Sequence, residues 1–298
     1  MRLAFKSKPL VSVIMNCHNG EKYLTESLHS ILNQSYKNWE IIFWDNKSSD
    51  KSKKIFKSFK DKRFKYFYSK KKNTLYKSRN LALKKCKGEF IAFLDTDDWW
   101  VKDKLKFQVS RFNDPKIGFV YSKYYMYNQI TSLKKNIFSN NLPEGKITSN
   151  LFYQYNVGIV TTVIRRKILK KYKLKFNPKY QCIGDFDLTI KISQKTLVAC
   201  VQKPLAFYRV HKNNLSKKIP DTHIKELENW VKANSKIYQN KDIQRFKMIV
   251  QFRKIKNFIF TKKIYQAITG VINFPLNRFK IKLILMLILP NRFFNPLI

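Results

Sequence analysis

The chain has 298 residues and carries 61 Lys and Arg against 19 Asp and Glu, a formal net charge of +42. Apolar residues at 44% can fill one or two cores, and only 7 glycines exclude a low-complexity or collagen-like chain. Such a charge asks for anionic partners: nucleic acid, acidic lipid surfaces or phosphorylated substrates.

Strand and helix patterns alternate from the start. The run Leu10 to Met15 is too short for a signal peptide, and Val11 to Met15 suits a first strand. Asn19-Gly20 breaks the chain, after which Leu24, Leu28, Ile31 and Leu32 recur at helical spacing. Glu40 to Trp44 suits a second strand, and a polar turn follows with Ser48 or Ser49 expected as helix N-cap. Ile55, Phe56 and Phe59 mark a helix, Phe64 to Tyr68 a strand, Leu75 to Cys86 a helix, and Phe90 to Leu94 a fourth strand. This βαβαβαβ order predicts a parallel sheet covered on both faces. No G-x-G-x-x-G follows the first strand, so the dinucleotide fingerprint is missing.

The second half is less regular. Leu105, Val109 and Phe112 suit a helix, Ile117 to Tyr121 a strand, and residues 122–160 show no clear period. Ile164 to Tyr172 has a helical pattern, and Gly184 to Ile192 an acidic turn running into a helix. Val198 to Val210 is strand-like but interrupted by Pro204, and helices are expected from about Asp221 to Gly270. The cysteines Cys17, Cys86, Cys182 and Cys200 fit neither a zinc site nor a disulfide framework, so free thiols in a reducing compartment are expected. No acidic residue follows Asp242, and eight of the nine residues Ile281 to Leu289 are apolar. That run is too short to span a bilayer but suits an interfacial helix ending at Pro290. The alternative is a helix packed on the rest of the chain or on a second subunit.

Asp95-Thr96-Asp97-Asp98 follow the fourth strand. Neighbouring carboxylates repel, and one takes up a proton unless a cation sits among them. Ligands bind at this edge of open α/β sheets. The residues thus point to a divalent-metal site for a phosphorylated ligand, or to a solvated acidic turn.

The runs VSVIMNCHNGEKYLTESLHSILNQSYKNWEIIFWDNKSSD, SRNLALKKCKGEFIAFLDTDDWW, IGDFDL and YRVHKNNLS, in this order over residues 9–216, resemble family 2 glycosyltransferases. The resemblance implies an α/β, GT-A-like fold: a mostly parallel sheet sandwiched by helices, with a catalytic domain over 1–218 and a basic helical tail over 219–298. It also implies an inverting transfer from a nucleotide-diphosphate sugar, UDP-sugar favoured, with Mn²⁺ or Mg²⁺. The acceptor would be a hydroxyl of a glycan or lipid-linked substrate in cell-envelope polysaccharide synthesis. Asp95 and Asp97 match the D-x-D motif, with Asp97 on the metal and Asp95 on the metal or the donor ribose; Asp98 shares this role or caps the next segment. His211 matches a recurrent histidine that ligates the metal or binds the diphosphate, or is structural. Asp45 matches the aspartate that reads the donor base, with Asn46 where a second acid is common. His18 stands where a base-stacking tyrosine is frequent, with Asn16 and Glu21 flanking that loop. Arg79, in an R-N pair, suits a phosphate or a base carbonyl, and Arg209 departure of the diphosphate. Asp185 matches the general base, with Gly184 replacing the usual glutamate and Asp187 orienting a neighbour or capping the helix. Trp99 and Trp100 suit either a sugar ring or the core.

The basic tail adds an anionic membrane surface as a partner, with a cytoplasmic, peripheral location on the inner face. Nucleic acid is not expected, because lysine is spread along the whole chain and the clustered acids repel phosphate. A sugar-phosphate nucleotidyltransferase would carry a Gly-rich basic loop after the first strand, and Asn16 to Glu21 is not one.

Overall fold

A computed structural model describes residues 8–214 and 218–289. Sequence expectations that touch Leu215, Ser216, Pro290 or Arg292 lie outside the described residues. The chain divides into two compact units, one of residues 8–151 with 155–211, the other of 152–154 with the helices that follow residue 212.

The first unit opens with β1 (Val11–Cys17), α1 (Glu21–Leu32), β2 (Trp39–Asp45), α2 (Ser52–Ser58), β3 (Phe64–Tyr68), α3 (Leu75–Leu83) and β4 (Phe90–Phe93). These strands pair in parallel in the order β3-β2-β1-β4. β2 is buried along its whole length and β1 nearly so, as parallel strands covered on both faces must be. Period-2 alternation sends Val11, Val13 and Met15 to the face where Leu24, Leu28 and Ile31 of α1 complete the core. The register aligns Cys17 with Asp45, so β1 and β2 end together, and β4 delivers the acidic loop to the same edge. At the opposite end, Ser12 Oγ donates to Glu40 Oε1 at 2.6 Å and accepts the Gly88 N–H at 2.8 Å. A Cβ on Gly88 would lie 2.6 Å from the Ser12 backbone nitrogen, so only glycine fits there.

The chain continues with β5 (Trp99–Trp100), α4 (Lys104–Ser110), β6 (Ile117–Asn128), β7 (Lys134–Asn136), α5 (Thr148–Tyr153), whose last two residues count with the second unit, β8 (Val163–Arg165), α6 (Arg166–Lys171), α7 (Gly184–Ser193) and β9 (Leu197–Val210). The sheet extends as β4-β8-β6-β9-β5, with β7 beside β6. β8 is antiparallel to β4 and β6, β6 and β9 are parallel, and β5 is antiparallel to β9.

Four local expectations are corrected. Ile164 belongs to a strand, because the gap between β4 and β6 must be filled, and the helix starts only at Arg166. β6 runs on to Asn128 because β9 offers it a long partner. Pro204 does not end β9; it falls where the β6 register shifts, a place that tolerates a missing N–H. α2 begins at Ser52 after Lys51, and Ser48 Oγ instead accepts the Asn19 N–H at 3.1 Å.

The second unit is helical: α8 (Pro220–Asn234), α9 (Asn240–Phe260), α10 (Ile264–Ile272) and α11 (Arg278–Ile288). Trp230 is fully buried among Phe152, Tyr238 and Phe246. Ile255, Ile259, Ala267, Val271, Phe274, Leu283 and Met286 form a further core shared by the last three helices. Asn277 caps α11, its Oδ1 accepting the N–H groups of Phe279 and Lys280. Among the described residues no helix is long and apolar enough to cross a membrane.

Candidate active site

The carboxyl edge of the sheet gathers most of the expected residues. The Asp95–Asp98 loop is pinned to α1: Ser27 Oγ lies 2.8 Å from the Thr96 carbonyl oxygen and 2.6 Å from that of Asp98. Gly20 lets this loop approach, since a Cβ there would meet Thr96 Oγ1 at 2.8 Å.

The three carboxylates of this loop have separate fates, which resolves their repulsion. Asp95 accepts two bonds from Arg79 Nη2, at 2.7 and 3.0 Å. Arg79 is buried among the rings of Tyr76, Phe93 and Phe176. Asp97 Oδ2 lies 3.0 Å from His211 Nε2, and the His211 ring packs against Tyr23. Asp98 is buried and its Oδ1 accepts the Arg209 N–H at 2.8 Å. Burial, then the charges of Asp97 and Asp95, push the Asp98 carboxyl well above the usual carboxylate range.

Two expectations change here. Among the described residues no three His, Cys, Asp or Glu side chains converge as a metal site. Asp95 faces Arg79, and Asp97 with His211 is the pair that meets. That contact also commits Arg79 to a carboxylate rather than leaving it free for phosphate. Arg209 is 4% exposed and bonds Glu26, Gln129 and, at 2.8 Å, the Asp97 carbonyl oxygen. Its guanidinium lies between Tyr23 and Trp99, 4.4 and 4.3 Å from their ring centroids. It therefore holds the acidic loop against β9 rather than reaching out to a leaving group.

On the β1–β2 side, Asp45 is fully buried; its Oδ1 accepts the Ser48 N–H at 2.8 Å and its Oδ2 the Tyr66 hydroxyl at 2.6 Å. Asn46 spans to Asn73, accepting its N–H at 2.9 Å and donating to its carbonyl at 2.8 Å. Both residues thus also shape the loop, each Asp45 oxygen taking one bond. Glu21 does likewise, accepting the Lys51 N–H at 2.8 Å. His18 is exposed, with Nδ1 3.1 Å from the Asn46 carbonyl oxygen, so Nδ1 carries the proton and the ring stays open to solvent. Both side-chain polar atoms of Asn16 are buried without a partner among the described residues. An unmade bond of this kind costs roughly 1–3 kcal/mol, and such groups are often completed by a ligand or water.

Asp185 lies in the first turn of α7, not in a preceding turn. Its Oδ1 accepts from the Phe186 N–H at 2.9 Å and from the Tyr76 hydroxyl at 3.2 Å. Burial raises its pKa, and the Arg79 charge pulls the other way. Gly184 has a local cause: a Cβ there would sit 2.6 Å from the Tyr76 ring. The ring fills the space that a glutamate at 184 would need. Asp187 pairs with Lys191 at 2.7 Å, one helical turn on. Trp100 is core, its Nε1 donating to the Val160 carbonyl at 2.9 Å, whereas Trp99 stacks on Phe207 at 4.6 Å.

Sequence reasoning missed Tyr76, Tyr23, Glu26 and Gln129. Tyr76 lay inside an apolar helix pattern that could have flagged it as packed, but not as a partner of Asp185. Glu26 and Gln129 carry no signal in a linear reading, since each meets Arg209 only through the fold.

A family model described as Glycosyl transferase family 2 matches residues 12–173. The chain is similar to the UDP-Glc:alpha-D-GlcNAc-diphosphoundecaprenol beta-1,3-glucosyltransferase WfgD of Escherichia coli, 34% identical over 56% of this chain and 64% of that protein, so it spans just under two thirds of that relative. A second Escherichia coli protein of the same description, WfaP, is 32% identical over 70% of this chain and 80% of its own. The putative teichuronic acid biosynthesis glycosyltransferase TuaG of Bacillus subtilis is 30% identical over 70% and 82%. Among solved structures, S. aureus TarS 1–349 in complex with UDP-GlcNAc superposes with a TM-score of 0.67 at 19% identity, covering 95% of this chain and 82% of that one. The mannosyltransferase PcManGT from Pyrobaculum calidifontis in complex with GDP-Man and Mn²⁺ gives 0.64 at 15% identity, covering 89% and 75%. At such identities the likeness is one of fold, and it is the GT-A-like fold expected from the sequence.

Proposed function

Since the chain belongs to glycosyl transferase family 2, we propose that it transfers a sugar from a nucleotide-diphosphate donor to a hydroxyl of a lipid-linked glycan, with inversion at the anomeric carbon, in cell-envelope polysaccharide synthesis. The observation that carries this reading is the meeting of Asp97 and His211 at the carboxyl edge of the sheet. The Asp97 carboxylate oxygen suits Mn²⁺ or Mg²⁺, and with the His211 imidazole nitrogen beside it the pair would hold Mn²⁺ better than the oxygen-seeking Mg²⁺. Bound there, the ion supplies neutralisation of the charge that grows on a departing diphosphate.

The protein side chains divide the remaining work. Arg79 holds Asp95 still beside Asp97. Arg209 ties the loop to β9 through the Asp97 carbonyl oxygen, so Asp97 is positioned from two directions. The unpartnered Asn16 amide and the open His18 ring are the groups free to take the nucleoside, by hydrogen bond and by stacking. UDP is the favoured donor nucleotide, in keeping with the names of WfgD and WfaP. Asp185 is the general base: it takes the acceptor hydroxyl proton as that oxygen bonds to the anomeric carbon, while the bond from that carbon to the diphosphate oxygen breaks.

Residues 1–218 form the catalytic domain in this reading and 219–298 an accessory helical region. A lipid-linked acceptor fits a peripheral location on the cytoplasmic face of the cell membrane. The test is a donor screen that measures nucleoside diphosphate release with Mn²⁺ and a lipid-diphosphate-linked GlcNAc acceptor. Acceptor-dependent release from a UDP-sugar is expected. No release from any nucleotide sugar, with the donor still bound, would remove the assignment.

A further inference from the structure

Helix α11 has apolar residues on both faces. Leu283 and Met286 point into the helical core. Ile281, Ile284, Leu285 and Ile288 recur at i, i+3, i+4 and i+7, which is one stripe of a helix, and all four are exposed. In a helix that packs on one side only, this second stripe should be polar. α10 repeats the pattern: Ala267 and Val271 are buried, whereas Ile264, Ile268 and Ile272 are exposed at spacings of four. The link between the two helices adds Leu276, 86% exposed, and Tyr265 at the start of α10 is 81% exposed. Scattered exposed apolar residues are ordinary, but two consecutive helices that each carry an exposed apolar stripe opposite a buried one mark an interaction surface.

Charge decides what covers it. No acidic residue follows Asp242. Lys282 beside the α11 stripe and Lys262 before α10 are exposed, while Lys280 Nζ donates to the Ile272 carbonyl oxygen at 2.9 Å and Lys263 lies 3.6 Å from Asp221. A second copy laid on this face would bring the same cations together. Anionic lipid headgroups would pair with them while acyl chains take up the isoleucines and leucines.

We propose that the exposed apolar face of α10 and α11, with its flanking lysines, docks the protein on an anionic lipid bilayer. The face inserts to the depth of its side chains and spans nothing. The surface uses no residue of the Asp97 site, so vesicle binding and sugar transfer can fail separately.

The test is co-sedimentation of the full chain with phosphatidylglycerol vesicles and with phosphatidylcholine vesicles, with mass in solution followed by light scattering. Wild type should bind phosphatidylglycerol at least about tenfold more strongly than phosphatidylcholine. Ile281→Ser/Ile284→Ser/Ile288→Ser should lower binding by about tenfold or more, and raised salt should weaken wild-type binding only in part. Lys262→Glu/Lys282→Glu changes exposed side chains alone and should lower binding to phosphatidylglycerol selectively; it decides the matter if the triple variant does not fold. Vesicle binding unchanged in the charge variant would overturn the proposal. So would a wild-type dimer that the triple variant dissociates while neither binds vesicles, since that result makes the face a contact between copies.

Discussion

Two forces act on Asp185 in opposite directions. Burial favours its protonated form, while Arg79, the Phe186 N–H and the Tyr76 hydroxyl favour the ionised one. Burial wins, and a base with a raised pKa holds a proton more firmly. As the proposed base, Asp185 works only when ionised, so the transfer rate should fall as pH drops through a value above that of an ordinary aspartate. Tyr76→Phe removes a bond to the ionised form and should move this acid limb to still higher pH; an unmoved limb would separate Tyr76 from Asp185. Asp185→Asn should lower kcat by ~10²–10⁴-fold with donor affinity retained. At Asp98 the raised pKa becomes a stability effect. Its folded-state pKa lies above the unfolded one, so its contribution is full at low pH and is lost as pH rises through the folded value. Asp98→Asn keeps an acceptor for the Arg209 N–H without the charge, and should flatten the pH dependence of unfolding and raise Tm at neutral pH. Asp98→Ala leaves that N–H unpaired and should cost about 1–3 kcal/mol. Thermal unfolding of both variants between pH 4 and 8 (about two units either side of neutral-acid conditions) checks the pair. The acidic loop itself was legible in the sequence, because a strand pattern followed by carboxylates is local. Its division among Arg79, His211 and the Arg209 N–H was not, because each partner lies far off in the chain.

Helix α7 and helix α3 fit because residue 184 has no side chain. Gly184→Ala would drive a Cβ to 2.6 Å from the Tyr76 ring, and overpacking of this kind costs about 1–3 kcal/mol. Gly184→Ala/Tyr76→Ala should cost less than the sum of the two single changes, read by denaturant unfolding; strict additivity would mean that the contact is not the cause. The parallel half of the sheet was legible for the same reason that it is stable: β1, β2 and β4 are buried on both faces and read as apolar runs. β8 was not, since three residues cannot show a period, and Val163–Arg165 is a strand only because β4 and β6 lie on either side. The length of β6 was hidden in residues 122–128, whose strand conformation comes from pairing with β9 rather than from alternation.

The whole molecule carries +42 charges, and a compact fold of one sign repels itself. Salt should therefore stabilise it: Tm should rise by a few degrees between about 20 and about 300 mM NaCl, through screening. A flat response would mean that the lysines lie too far apart to interact. The sequence showed the charge and the apolar run Ile281 to Leu289, but which residues of that run stay exposed shows only once Leu283 and Met286 are seen to face inward. In the proposed function Asp97 and His211 are the pair that would hold the metal. Calorimetric titration of UDP into the full chain, with Mn²⁺ and with EDTA, tests it most directly. Wild type should bind UDP with Mn²⁺ and lose at least about tenfold in affinity with EDTA, and Asp97→Asn should bind weakly in both, with an unchanged circular dichroism spectrum. Equal UDP affinity of wild type and Asp97→Asn in the presence of Mn²⁺ would contradict the account.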